Sequence, residues 1–172
     1  MSVLISFSGL PGVGKTTVAR ALAQRINAAY IRVDSIEVAL KNSSLQIHPA
    51  ADAGYLAAIA LAKDNLAHGL DVVADTVNPI ALTRTGWAEA AEACNARLLN
   101  VQIVCSDQAE HRRRVEMRRS DIVGLDLPDW KSIQSGDYEH WTGNHVVLDT
   151  SELGVNDCVK KIIEALAQPP ES

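Results

Sequence analysis

Short apolar runs bounded by polar or glycine-containing breaks recur along this chain, and they alternate with stretches whose apolar positions lie three or four apart. The first run, VLISFS at 3–8, has the pattern of a strand buried on both faces. A glycine-rich turn leads from it into a helical pattern, in which Val18, Leu22 and Ile26 recur at four-residue spacing with Ala19 and Ala23 beside them. AYIRVD reads as a second strand ending at Asp34, followed by a short helix SIEVALK and a polar break at NSSLQIHP. Residues 51–69 form an alanine-rich helical segment stopped by Gly69, and DVVADT gives a third buried strand ending near Asp75. Asn78 as N-cap and Pro79 at the first helical position open the next helix, and RLLNVQIVC makes a fourth strand. Ser106 or Asp107 caps the helix after it, with Glu110 at capping-box distance from Asp107. Residues 120–144 lack a strong period apart from a short helix near PDWKSIQ. HVVLDT is a fifth strand, and Val155, Val159, Ile162 and Leu166 mark one face of a closing helix. Strands alternating with helices predict parallel pairing, right-handed crossovers and helices on both faces of one sheet.

Composition narrows the class. With 172 residues, 47% hydrophobic and 22% charged, the chain is expected to fold as one globular domain over 1–172. A formal charge of −5 argues against general affinity for nucleic acid or for an anionic membrane. The apolar N-terminus breaks at Gly9 and Pro11, too early for a secretory or membrane-spanning segment, so a cytoplasmic protein, monomer or dimer, is expected. Cys94, Cys105 and Cys158 are widely spaced within apolar patterns, which reads as reduced core thiols rather than a disulfide or zinc site.

Candidate chemistry centres on GLPGVGKT, Gly9 to Thr16, which has the spacing G-x-x-x-x-G-K-[ST] between a buried strand and a helix. Gly9, Leu10, Pro11, Gly12, Val13 and Gly14 would cradle phosphate with backbone N–H groups, Gly12 and Gly14 permitting conformations that a side chain opposes. Lys15 would reach the β- and γ-phosphates of ATP, Thr16 would hold Mg²⁺ through its hydroxyl, and Thr17 either faces the α-phosphate or simply starts the helix. A GTPase would need an N-K-x-D base reader, which the sequence lacks, and motor ATPases are usually larger. A kinase fits best.

Asp34 and Asp75 fall at strand ends, where ligands bind in open parallel sheets. Asp34 is the candidate to receive or orient the acceptor hydroxyl's proton, with helix capping as its plainer role. Asp75 is placed like a Walker-B carboxylate to hold a Mg²⁺-bound water, or else merely ends its strand. EHRRRVEMRRSD at 110–121 concentrates five arginines in an acidic chain. On a helix Arg114 and Arg118 would share one face, Arg112 and Arg119 another, and pairs such as Glu110 with Arg114 or Glu116 with Arg112 or Arg113 would account for several of these charges. A lid over about 112–144 would carry Trp130, Tyr138 and Trp141 over the ligand, unless these form a satellite core. His48, Asp52, Tyr55, Asn78 and Arg84 are the polar side chains expected near the acceptor, Arg84 being either a reader of substrate carboxylate or phosphate or a surface residue.

FSGLPGVGKTTVARAL, IRVDSIEVAL, DVVADTVNP, the arginine stretch after VQIVCSD and the final VVLDTS together resemble the small P-loop kinases. In particular they resemble the AAA-type, adenylate-kinase-like predicted kinases allied to chloramphenicol phosphotransferase, zeta toxin and gluconate kinase. The resemblance spans nearly the whole chain. It implies a P-loop NTPase fold, a three-layer α/β/α arrangement with a five-stranded parallel sheet in the order 2-3-1-4-5 and an arginine-bearing lid. It also implies ATP with Mg²⁺ and transfer of the γ-phosphate to a hydroxyl of a small-molecule acceptor. VDS resembles the segment of the chloramphenicol enzymes whose aspartate is the general base, which points to Asp34, and recurrent lid arginines four residues apart point to Arg114 and Arg118 as the phosphate clamp. Strand three departs from that pattern, with Ala74 before Asp75 where those enzymes carry two acids. A nucleotide or polynucleotide 5′-kinase, and an ATP-binding regulator without efficient turnover, are the alternatives.

Overall fold

The computed structural model describes residues 1–169. In chain order its elements are β1 (Val3–Ser8), α1 (Lys15–Ile26), β2 (Ala29–Arg32), α2 (Val33–Asn42), α3 (Ala53–Ala67) and β3 (Val72–Asp75). Then come α4 (Ala81–Ala93), β4 (Arg97–Val104), α5 (Gln108–Met117), α6 (Trp130–Ser135), β5 (Val146–Asp149) and α7 (Val155–Ala167). The strands form one sheet in the order β2-β3-β1-β4-β5, with every neighbouring pair parallel.

Strand β1 lies at the centre, Ile5 standing opposite Val73 on one side and Leu99 on the other. Its side chains alternate between two cores. Ile5 and Phe7 pack with Val18 and Leu22 of α1 and Cys158 and Ile162 of α7, whereas Leu4 packs with Ala58 and Ala62 of α3 and Trp87 and Ala90 of α4. Full burial of a Leu, Ile or Phe side chain contributes about 1.5–3 kcal/mol, so a strand apolar on both sides anchors both helix layers. The crossover after β1 runs along one face through α1 and the crossover after β3 runs along the other through α4. These connections diverge at the carboxyl end of β1, leaving a crevice there.

Three boundaries differ from the expectations. β2 stops at Arg32, and Asp34 lies in the first turn of α2 rather than at a strand end, because Val33 turns into the core shared with α3. α4 begins at Ala81 with Ile80 at its N-cap, so Asn78 is not the cap. Asn78 is instead fully buried, its amide donating to Ser6 Oγ and to the Phe7 carbonyl at 2.9 Å each while its oxygen accepts from Trp87 Nε1 at 3.1 Å. α5 ends at Met117, and Arg118 follows with extended backbone. Cys94, Cys105 and Cys158 are free thiols. Among the described residues no helix is long and apolar enough to cross a membrane.

Candidate active site

The glycine loop fills the crevice at the end of β1. Gly14 forms the N-cap of α1 with φ 98° and contributes no side-chain cap, so the first-turn N–H groups of α1 face outward for an anion. Lys15 opens the helix and is buried, its ammonium donating to the Leu10 carbonyl at 2.9 Å across the loop. Burial pulls this ammonium down to about 8, even though Asp75 and Asp34 nearby oppose the change. Thr16 is half-buried beside it and Thr17 is exposed. Gly9 ties the loop to the end of β3, its N–H donating to the Val77 carbonyl at 3.1 Å.

The two carboxylates are held differently. Asp75 is 3% exposed and accepts from the Tyr30 hydroxyl at 2.6 Å, an arrangement that raises the phenol's pKa through burial first and the adjacent carboxylate second. Asp34 is more open, with 36% of its side chain exposed and Arg32 Nη2 at 3.5 Å. Arg32 stands between them, its Nε 3.8 Å from Asp75 and its Nη1 donating to Asp121 at 2.9 Å. Burial works against the Arg32 charge, but the bond to Asp121 and the field of Asp34 outweigh it.

Helical spacing gave the pairs Glu110–Arg114 and Glu116–Arg112, both of which form, but not the place of Arg118. Arg112 pairs with Glu116 and Arg113 with Glu110, both at 2.7 Å on the exposed face. Arg114 bonds Glu110 through Nε at 2.7 Å and reaches Thr150, just after β5, with Nη1 at 2.8 Å and Nη2 at 3.1 Å. Thr150 in turn donates its hydroxyl to the Val13 carbonyl at 2.7 Å, so Arg114 is anchored against the glycine loop. Arg118 does not share a helical face with Arg114, because the helix has already ended. It lies within the field of Lys15 and Asp34, and its Nε is buried with no hydrogen-bond partner. Burial depresses its pKa while Asp34 resists the change. Arg119 is exposed.

Of the expected lid, the chain after α5 is tied to the core at Asp121, which pairs with both Arg20 and Arg32. Trp130 meets His111 edge-on at 5.0 Å, and Trp141, 8% exposed, stacks on His145 at 4.7 Å. Arg84 donates to the carbonyls of Asn78, Pro79, Glu139 and His140 and lies over the Tyr138 and Trp141 rings at 5.4 and 4.4 Å. It therefore clamps the returning chain onto the start of α4, with four of its five N–H donors spent on backbone carbonyls. Tyr55 likewise accepts from Thr76 Oγ1 at 2.6 Å and from the Asn78 N–H at 3.1 Å, while Asp52 is exposed at the N-cap of α3.

Four contributors were not singled out from sequence: Tyr30, Arg32, His111 and Thr150. His111 shares the inward face of α5 with Val115, and its Nε2 donates to the Pro11 carbonyl at 2.9 Å, bracing the loop. The i,i+4 spacing of His111 and Val115 was the available signal. Alternation along β2 placed Tyr30 and Arg32 on one side, but only the neighbouring β3 shows that this side holds Asp75.

The apparatus present fits a nucleotide's phosphates: an outward-facing helix N-terminus, a buried lysine, and an unpaired buried arginine donor opposite them. Thr16 and Asp75 are the residues that would hold a Mg²⁺ beside a bound phosphate, an ion that keeps several of its waters. Among the described residues no group of three or more His, Cys, Asp or Glu side chains is arranged to hold a metal by itself.

No curated protein matches the chain. Solved structures similar to it include the Mycobacterium tuberculosis APS kinase CysC in complex with AMPPNP and APS, at 17% identity and TM-score 0.70, covering 97% of this chain and 98% of that one. Chaetomium thermophilum Kti12 in complex with ADP-AlF3 shares 22% identity at TM-score 0.70, with 96% and 100% covered. A gluconokinase from Sinorhizobium meliloti shares 20% identity at TM-score 0.65, with 96% and 91% covered. The fold is that of P-loop kinases such as the APS kinase and the gluconokinase. Residues 4–129, from the second residue of β1 to the threshold of α6, match the AAA domain family, and the chain belongs to that family.

Proposed function

We propose that the protein is an ATP-dependent phosphotransferase that moves the γ-phosphate of ATP to a hydroxyl of a small-molecule acceptor. The observation that carries this reading is the meeting of Lys15, Asp34 and Arg118 in one electrostatic neighbourhood beside the glycine loop, with Asp75 buried behind them. The complexes of the APS kinase with AMPPNP and of Kti12 with ADP-AlF3 support a nucleotide here.

In this mechanism the backbone of Gly9 to Gly14 cradles the β-phosphate, with Thr17 at the edge of the α-phosphate, and Lys15 donates to the β- and γ-oxygens. Thr16 and, through water, Asp75 would hold Mg²⁺, which when bound neutralises charge on the β- and γ-oxygens. Asp34, more open than Asp75, accepts the proton of the acceptor hydroxyl. The acceptor oxygen forms a bond to the γ-phosphorus as the bond to the β,γ-bridging oxygen breaks, and ADP departs with that electron pair. Arg118 supplies its unpaired donor to the γ-oxygens, and Arg114 acts from the Thr150 side of the loop. Docking of the chain after α5 keeps water from taking the phosphoryl group.

The test is ADP release with Mg·ATP across a panel of alcohols, sugars, nucleosides and aminated polyols, for the native protein and Asp34→Ala. Acceptor-stimulated release that the variant loses is the expected result. Release that no acceptor stimulates, or that Asp34→Ala retains, refutes the reading.

A further inference from the structure

A cavity of about 320 Å³ opens between α2, the turn at 48–51 and the chain at 124–126, lined among others by Glu37, Lys41, His48, Gly124 and Asp126. Glu37 lies three residues beyond Asp34, so the two carboxylates occupy one face of α2 and lie within each other's field, with the cavity on the Glu37 side. Among the described residues the Glu37 carboxylate makes no hydrogen bond and no ion pair, although it is only partly exposed. Its path is kept open by α3. A Cβ at Gly54 would stand 2.4 Å from Glu37 Cγ and 2.9 Å from Oε1, so a larger residue there would displace the Glu37 side chain from its present place.

The cations nearby are already engaged. Lys41 is paired with Asp126 at 2.6 Å, and Arg32 is shared among Asp34, Asp75 and Asp121. Burial, with the charge of Asp34 behind it, pushes the Glu37 carboxyl up, and a positive group in the cavity would relieve both. An anion there would face two carboxylates with no uncommitted lysine or arginine on the cavity wall.

Resting on the phosphotransfer reading for where the acceptor lies, we propose that this cavity receives the part of the acceptor remote from the reacting hydroxyl. Glu37 is the specificity-determining residue, and it selects a polyol bearing a protonated amine over a neutral polyol and rejects an acid. The charge-assisted hydrogen bond from an ammonium to Glu37 gives the preference, and the unpaired Glu37 carboxylate gives the rejection.

Three probes of one size separate the charges: D-glucosamine, D-glucose and D-glucuronate, titrated calorimetrically into the full chain saturated with ADP and Mg²⁺. Glucosamine is expected to bind about tenfold more tightly than glucose, and glucuronate not at all. Glu37→Gln should shrink the glucosamine preference to about twofold or less, with circular dichroism reporting that the variant is folded. Equal binding of the three, tightest binding of glucuronate, no binding of any, or a preference that survives Glu37→Gln overturns the proposal. ADP release is read separately with the same probes. The expected binding order without phosphotransfer to any acceptor would sink the kinase reading alone, and phosphotransfer without the charge order would sink the role of Glu37 alone.

Discussion

Arg114 grips Thr150 at two points, Nη1 donating to the hydroxyl at 2.8 Å and Nη2 to the carbonyl at 3.1 Å. The Thr150 hydroxyl passes the connection to the Val13 carbonyl in the glycine loop, so one arginine of the five ties α5, the end of β5 and the loop together. Arg113, one position earlier, bonds only to Glu110 and to Met117 Sδ on the outer face of the same helix. Because Arg114 holds the glycine loop in place, Arg114→Ala is expected to lower kcat by up to about 10², the loss typical of a misplaced reacting group, whereas Arg113→Ala stays within about twofold. Steady-state ADP release on the two variants decides it, and equal losses would return the whole arginine stretch to a surface role.

Asp34 and Asp75 should fail in different measurements. Asp34→Asn removes the proposed proton acceptor and is expected to cost about 10²–10⁴ in kcat with little change in ADP affinity. Asp75→Asn should instead raise the Mg²⁺ concentration for half-maximal rate by about tenfold or more, because a carboxylate that orients a metal-bound water acts on metal affinity. A magnesium titration of each variant at saturating ATP separates them. The opposite assignment would show as a Mg²⁺ shift in Asp34→Asn.

Nucleotide affinity should depend on pH through Lys15. In the free protein burial holds its ammonium near 8, below its ordinary value of 10.5, and bound phosphate would push it back up. Below pH 8 the lysine is already charged and affinity is flat. Above pH 8 binding must take up a proton, so the Kd for ADP rises by up to tenfold per pH unit. Calorimetry at pH 8.5 in buffers of different ionisation enthalpy should report uptake of about three-quarters of a proton. Lys15→Met should abolish that uptake.

Asn78 is the polar keystone beneath the site. Asn78→Ala would leave the Trp87 N–H, the Ser6 hydroxyl and one lone-pair direction of the Phe7 carbonyl unsatisfied in the core. Unmade buried hydrogen bonds of this kind cost about 2–4 kcal/mol together. Urea denaturation monitored by tryptophan fluorescence should show the loss as a lower midpoint at unchanged slope.

Much of the molecule follows from order along the chain. The alternation of buried runs and amphipathic segments determined five parallel strands with helices on both faces, since a strand apolar on both sides is stable only between two helix layers. The spacing from Gly9 to Thr16 determined a phosphate loop, because glycines at those intervals fix the backbone locally. The Asp107 cap is equally local, its carboxylate accepting from the N–H groups of Ala109 and Glu110. Contacts between distant segments were decided only by the tertiary structure. Periodicity put Arg114 and Arg118 on one face, but α5 stops between them, sending Arg114 to Thr150 and leaving Arg118 near Lys15 and Asp34. Arg84 had the charge to read a substrate until packing gave it four carbonyls and two aromatic rings. Glu37 became a candidate reader only once Gly54 of α3 was seen beneath it and Lys41 was seen held by Asp126. Local geometry is written in neighbouring residues, whereas whether a charge is free or spent depends on which remote groups the fold brings within a few ångströms of it.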